Sequence, residues 1–136
     1  MKILSLLFCA ALTLRAGEPL VMVANTSGSF KSLPKSALVD LLKGESTQVN
    51  GKRVTIFLTK PSSKSLPAVT YGLLGMAPTA YLSLIKQAKM RGVNIEVEFA
   101  ESVEALEASV AANPAAIGFL AKSEAKGTKT ILVSLD

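Results

Sequence analysis

The sequence predicts an α/β domain, a mixed and mainly parallel sheet flanked by helices. Two observations carry this. Short apolar runs bounded by turn formers alternate with stretches of helical spacing, and the order reads strand, helix, strand, two helices, strand, helix, strand, strand. With 136 residues the chain has room for one domain.

The elements follow in order. Residues 20–24 form a short apolar run closed by Asn25-Thr26-Ser27-Gly28-Ser29, which fits a buried strand. Ser32 is placed to cap a helix that has Pro34 in its first turn and Gly44 just past its end, with Ala37, Leu38, Leu41 and Leu42 on one face. Asn50-Gly51 marks a turn before the β-branched run 54–58, and a short helix over 66–74 stops at Gly75. Pro78 opens a longer helix, in which Tyr81, Leu82, Ile85 and Ala88 recur at helical spacing before Gly92. Residues 94–99 alternate polar and apolar, as a strand with one wet face does. Ser102 caps a helix with the stripe Val103, Leu106 and Val110, and Asn113-Pro114 ends it. Residues 115–120 and 130–135 read as two further strands. One core is expected to gather Val23, Leu38, Leu41, Ile56, Leu82, Ile85, Leu106, Val110, Ile117 and Phe119.

The first sixteen residues belong to none of this. Met1 and Lys2 precede an apolar run over 3–14, and Arg15-Ala16-Gly17 follows. That pattern reads as a secretory signal peptide over 1–16, cut after Ala16, ahead of a domain over 17–136. The run is shorter than the roughly twenty residues of a spanning helix. A periplasmic or secreted location is therefore expected.

Composition excludes several chemistries. There is no histidine, and the one cysteine, Cys9, lies in the leader. A mature chain without either has no Ser-His or Cys-His nucleophile and no soft metal site. Removing Lys2 and Arg15, with no acids among residues 1–16, lowers the net charge from +5 to +3. So small a surplus does not indicate nucleic acid as a partner. The acids Glu96, Glu98, Glu101, Glu104 and Glu107 read as a solvated face, since no Asx-rich loop accompanies them to hold calcium. No cofactor and no enzymatic activity are expected.

Two loops remain as candidate sites. Lys60-Pro61-Ser62-Ser63-Lys64-Ser65 lies between a strand end and a helix start, where ligands bind in open α/β sheets. Hydroxyls of Ser62, Ser63 and Ser65, first-turn amides and the charge of Lys60 would suit an oxyanion such as phosphate. The plain structural alternative is a serine-rich loop that caps a helix. Thr26 and Ser27, also after a strand, form the second candidate, with an ordinary turn as the alternative.

Taken together, three stretches resemble phosphate-type periplasmic solute-binding proteins. They are Ser32-Leu33-Pro34 through Leu41-Leu42-Lys43-Gly44 and Asn50-Gly51-Lys52-Arg53-Val54; Lys60 through Ser65; and Ser102-Val103-Glu104-Ala105-Leu106 through Asn113-Pro114-Ala115-Ala116-Ile117-Gly118-Phe119. The resemblance implies a single periplasmic-binding-protein-like lobe. It also implies weak binding of phosphate or a similar oxyanion through the 60–65 loop, service to an ABC-type importer in the membrane, and a homodimer as a way to rebuild a two-lobed cleft. Lys60 stands where that family has arginine, and Lys64 where it has the glycine of the phosphate loop. The rival is a non-catalytic envelope interaction protein that kept the fold and lost the pocket. Donors of the 60–65 loop converging on one point would favour binding; splayed or buried donors would favour the rival.

The leader is directly testable. Mass spectrometry of the protein from its native cell should find a chain lacking residues 1–16, and an intact Met1 would overturn that expectation.

Overall fold

The computed structural model describes residues 19–27, 33–49, 51–60, 63–127 and 130–135. Strands β1 (Leu20–Asn25), β4 (Thr55–Thr59), β5 (Val97–Ala100), β6 (Ala116–Ala121) and β7 (Thr130–Ser134) form one sheet in the order β5-β4-β6-β1-β7. β4 pairs parallel with both β5 and β6, while β1 runs antiparallel to β6 and β7. Four of the five strands thus share a direction, and β1 alone opposes them. A small hairpin, β2 (Gln48–Val49) with β3 (Lys52–Arg53), stands apart. The helices are α1 (Lys35–Lys43), α2 (Ser65–Val69), α3 (Pro78–Met90) and α4 (Val103–Ala112). α2 continues as a wider π-type turn over Thr70–Leu74. This is the expected α/β architecture, a mixed and mainly parallel sheet between helices.

Alternation within the strands sets the layers. Leu20, Met22 and Ala24 of β1 join Ile56, Leu58, Val97, Ile117 and Phe119 on one face, beneath α1, α2 and α3. Val21 and Val23 join Ala116 and Leu120 on the other face, beneath Leu106 and Val110 of α4. Every residue of β1 and β6 is buried, which explains their unbroken apolar runs. The expected single core is therefore two, divided by the sheet: Val23, Leu106 and Val110 lie across it from Leu38, Leu41, Ile56, Ile85, Ile117 and Phe119.

Leu82 is a second correction, since it is only half-buried. α3 is turned so that Tyr81, Ile85 and Ala88 enter the core, and Leu82 falls at the boundary of that stripe. The Tyr81 hydroxyl donates to the Leu42 carbonyl at 2.7 Å, tying α3 to the last turn of α1. Burial keeps its phenol protonated well above the ordinary tyrosine range. The end of α1 itself is closed by Gly44 at φ 78°, from which the chain turns so that the Glu45 amide reaches the Asp40 carbonyl at 2.9 Å.

The acidic stretch departs from its reading as a solvated face. Glu107 is buried, and its carboxylate accepts from the Lys126 and Gly127 amides at 2.9 and 2.6 Å and from the Thr130 hydroxyl at 3.2 Å. It therefore clasps the connection from β6 to β7 onto α4. Glu104 takes the Lys126 ammonium at 2.6 Å, and that hydrogen bond holds the Glu104 carboxyl below its ordinary value. Glu96 is held by Arg53 at 2.6 Å and the Thr55 hydroxyl at 2.9 Å. Ser102 behaves as expected, its hydroxyl accepting the Ala105 amide at 3.1 Å.

α4 rests on Gly118, where an added Cβ would lie 2.7 Å from Leu106 Cδ2. Leu106→Ala should cost about 2–5 kcal/mol, because the side chain is fully enclosed. Gly118→Ala should cost about 1–3 kcal/mol by overpacking, and much less once Leu106 is alanine. Urea unfolding of the two single variants and the double variant measures that coupling; simple additivity would show that α4 does not seat there.

Candidate functional site

From β4 the chain passes through α2 and α3 on one face of the sheet to reach β5. From β5 it returns through α4 on the opposite face to β6, on the far side of β4. The two connections leave from opposite faces, so the sheet has a topological switch point between the carboxyl ends of β4 and β6. Crevices at such points are where open α/β sheets bind ligands. The loop from β4 to α2 opens there.

Its side chains are occupied by the chain itself. The Thr59 and Ser63 hydroxyls bond to one another, and the Ser63 hydroxyl also accepts the Leu66 amide at 3.3 Å. Ser63 thus takes a first-turn amide of α2 from one residue ahead of the N-cap position, Lys64. Ser65 is buried; its hydroxyl accepts the Ala121 amide at 3.0 Å and donates to the Glu124 carboxylate. Lys60 is ion-paired with Glu101, which follows β5 as Lys60 follows β4; the register Thr59↔Ala100 makes them neighbours. The Lys64 ammonium lies 3.5 Å from the Ser123 hydroxyl. Ser62 lies outside the described residues.

Thr26 and Ser27 are not part of this cluster. β1 runs against β6, so its end at Asn25 lies at the opposite edge of the sheet from Lys60, Ser63 and Ser65. There the Asn25 side chain donates to the Val110 and Ala111 carbonyls at 2.8 and 2.9 Å, closing the end of α4. The Ser27 amide and hydroxyl both turn back onto Asn25 Oδ1, at 2.8 and 3.1 Å. The arrangement is a turn with a helix-capping asparagine.

Lys122, Ser123 and Glu124 complete the edge, and the reading of the sequence passed over them. They were accessible by the rule that singled out the 60–65 loop, because they follow the strand over 115–120 directly. Chemically, the edge combines three serine hydroxyls (63, 65 and 123), three exposed lysines (60, 64 and 122) and two carboxylates, Glu101 on Lys60 and Glu124 on Ser65. An incoming anion would have to displace those carboxylates.

Removing the hydroxyls should separate their roles. Ser63→Ala should cost about 1 kcal/mol as a lost first-turn hydrogen bond. Ser65→Ala should cost about 1–3 kcal/mol, since it leaves the buried Ala121 amide without an acceptor. Chemical unfolding would measure both; equal and negligible losses would contradict these placements. No family model matches the chain, and neither a curated protein nor a solved structure does.

Proposed function

We propose that the chain is a non-catalytic interaction domain of the cell envelope, with the layers of a binding lobe and no preformed pocket for a small anion. One observation carries this reading: each described candidate side chain of the loop after β4 is engaged within the chain, and the Glu124 carboxylate takes the Ser65 hydroxyl. A carboxylate placed there repels a second anion. The absence of histidine and of any cysteine beyond Cys9 supports a role without nucleophilic or acid–base chemistry. The signal-peptide pattern supports the envelope as its place of work.

A second reading is favoured by the switch point itself. A loop at that position, with Lys60, Lys64 and Lys122 exposed around it, suits weak binding of phosphate or a similar oxyanion, in the service of an importer. In that case the anion takes the places of the Glu101 and Glu124 carboxylates.

Calorimetric titration with phosphate, sulfate and small carboxylates at low salt decides between them. The interaction reading expects no binding at millimolar concentrations. Phosphate binding that tightens in Glu124→Gln, and weakens by about one to two decades in Lys60→Glu, would replace it with the oxyanion reading. Glu124→Gln keeps the shape of the acceptor and removes only its charge.

A further inference from the structure

We propose that the outer edge of β7 is a docking surface for a second copy of this chain, the two β7 strands pairing antiparallel with Leu132 opposite Leu132. β5 and β7 are the end strands of the sheet, and among the described residues no strand pairs with the far side of either. An open edge exposes unpaired amides and carbonyls, and proteins ordinarily blunt it with charge, proline or short length. β5 is blunted in that way: it has four residues, its Glu98 is exposed, and Glu96 and Glu101 adjoin its two ends. β7 has five residues, Thr-Ile-Leu-Val-Ser, without charge or proline. Leu132 is 38% exposed on the α4 face, level with Val23 of β1, and Val133 and Leu135 are only half-buried on the other face. Apolar side chains thus reach this margin of the sheet on both faces.

The ladder with β1 decides which backbone groups of β7 are left over. The Leu135 amide donates to the Leu20 carbonyl at 3.1 Å, and the alternation of an antiparallel pair then turns Val133 and Ile131 toward Met22 and Ala24. The amides and carbonyls of Thr130, Leu132 and Ser134 therefore point outward. They match a copy of themselves. With Leu132 opposite Leu132, Thr130 of each copy stands opposite Ser134 of the other, and every one of these pairs exchanges two hydrogen bonds. The twofold axis joins the two five-stranded sheets into one and keeps both α4 faces on the same side, where the two Leu132 side chains meet. Charge completes the match. Lys129 is bonded directly to Thr130 and Asp136 directly to Leu135, so antiparallel pairing brings the basic start of each strand to the acidic end of the other. Pairing β7 with β5 of another copy would instead set Glu98 against an uncharged strand and leave the assembly open-ended. β7 lies three strands from β4, so the interface stands apart from the loop over 60–65 and from either reading of it.

Sedimentation equilibrium on the protein purified from its native cell tests this. A pair of five-residue strands makes a small interface, so the dimer should be reversible, with a dissociation constant on the order of 100 μM. Leu132→Lys and Leu132→Glu each set like charges opposite one another and remove an apolar contact, and each should raise that constant about tenfold. Mixed in equal amounts, the two variants set opposite charges face to face and should dimerise at least as tightly as the wild type. Leu132 turns its backbone away from β1, so each variant should keep the wild-type circular dichroism. A dimer that persists in both single variants would overturn the proposal, as would a mixture that fails to recover it. A wild type that stays monomeric at about 1 mM would also overturn it, and would leave the edge to a strand of another protein.

Discussion

Burial of β1 and β6 on both faces is the constraint on which the rest of the structure depends. A strand with no wet face cannot stand at the surface of a sheet, so helices must lie above and below it. On one side α1, α2 and α3 supply that cover. On the other, α4 crosses the sheet almost alone. Its close seating requires that β6 present no side chain at the crossing, and Gly118 meets that requirement beneath Leu106 and Val110. The placement of α2 and α4 on opposite faces then creates the switch point at the carboxyl edge.

At that edge the governing rule is that buried polar groups find partners. Among the described residues no buried side-chain nitrogen or oxygen lacks one. Ser65 illustrates how strongly this acts. Its hydroxyl, fully enclosed, is answered from one side by the Ala121 amide and from the other by Glu124. The loop is consequently shaped by its own hydrogen bonds. A donor-rich stretch at a strand end thus becomes a joint whose described hydroxyls all have partners within the chain.

Much of the fold was legible from spacing and punctuation. The runs at β1, β4 and β6, the Ser102 cap and the glycine after α1 all mark their elements, because each depends on local chemistry. Leu82 was misplaced because apolar spacing fixes the period of a helix better than the rotation of its buried stripe. Tyr81, a residue with a polar end, was free to enter only because the Leu42 carbonyl awaited it. Glu107 was misread for a related reason. Its partners Lys126, Gly127 and Thr130 are distant in the chain, and nothing beside it announces them. The candidate site was legible in its location and not in its state. A strand end followed by serines and a helix can be read from the sequence, whereas the carboxylate that takes the Ser65 hydroxyl arrives from the turn after β6. Thr26 and Ser27 look alike to the serine loop in sequence, yet the reversed direction of β1 carries them to the opposite edge.

That reversed strand has a consequence for how the molecule forms. β1 comes first in the described chain, but its two ladder partners are the last strands: Leu20 pairs with Ala121, and Val21 with Ser134. The centre of the sheet therefore stays incomplete until β6 and β7, about a hundred residues further along, are present. Contacts so distant in sequence fold slowly, since a long loop must close before any pairing rewards it. Until then β1, apolar from Leu20 to Ala24, is unpaired and able to pair with whatever edge it meets.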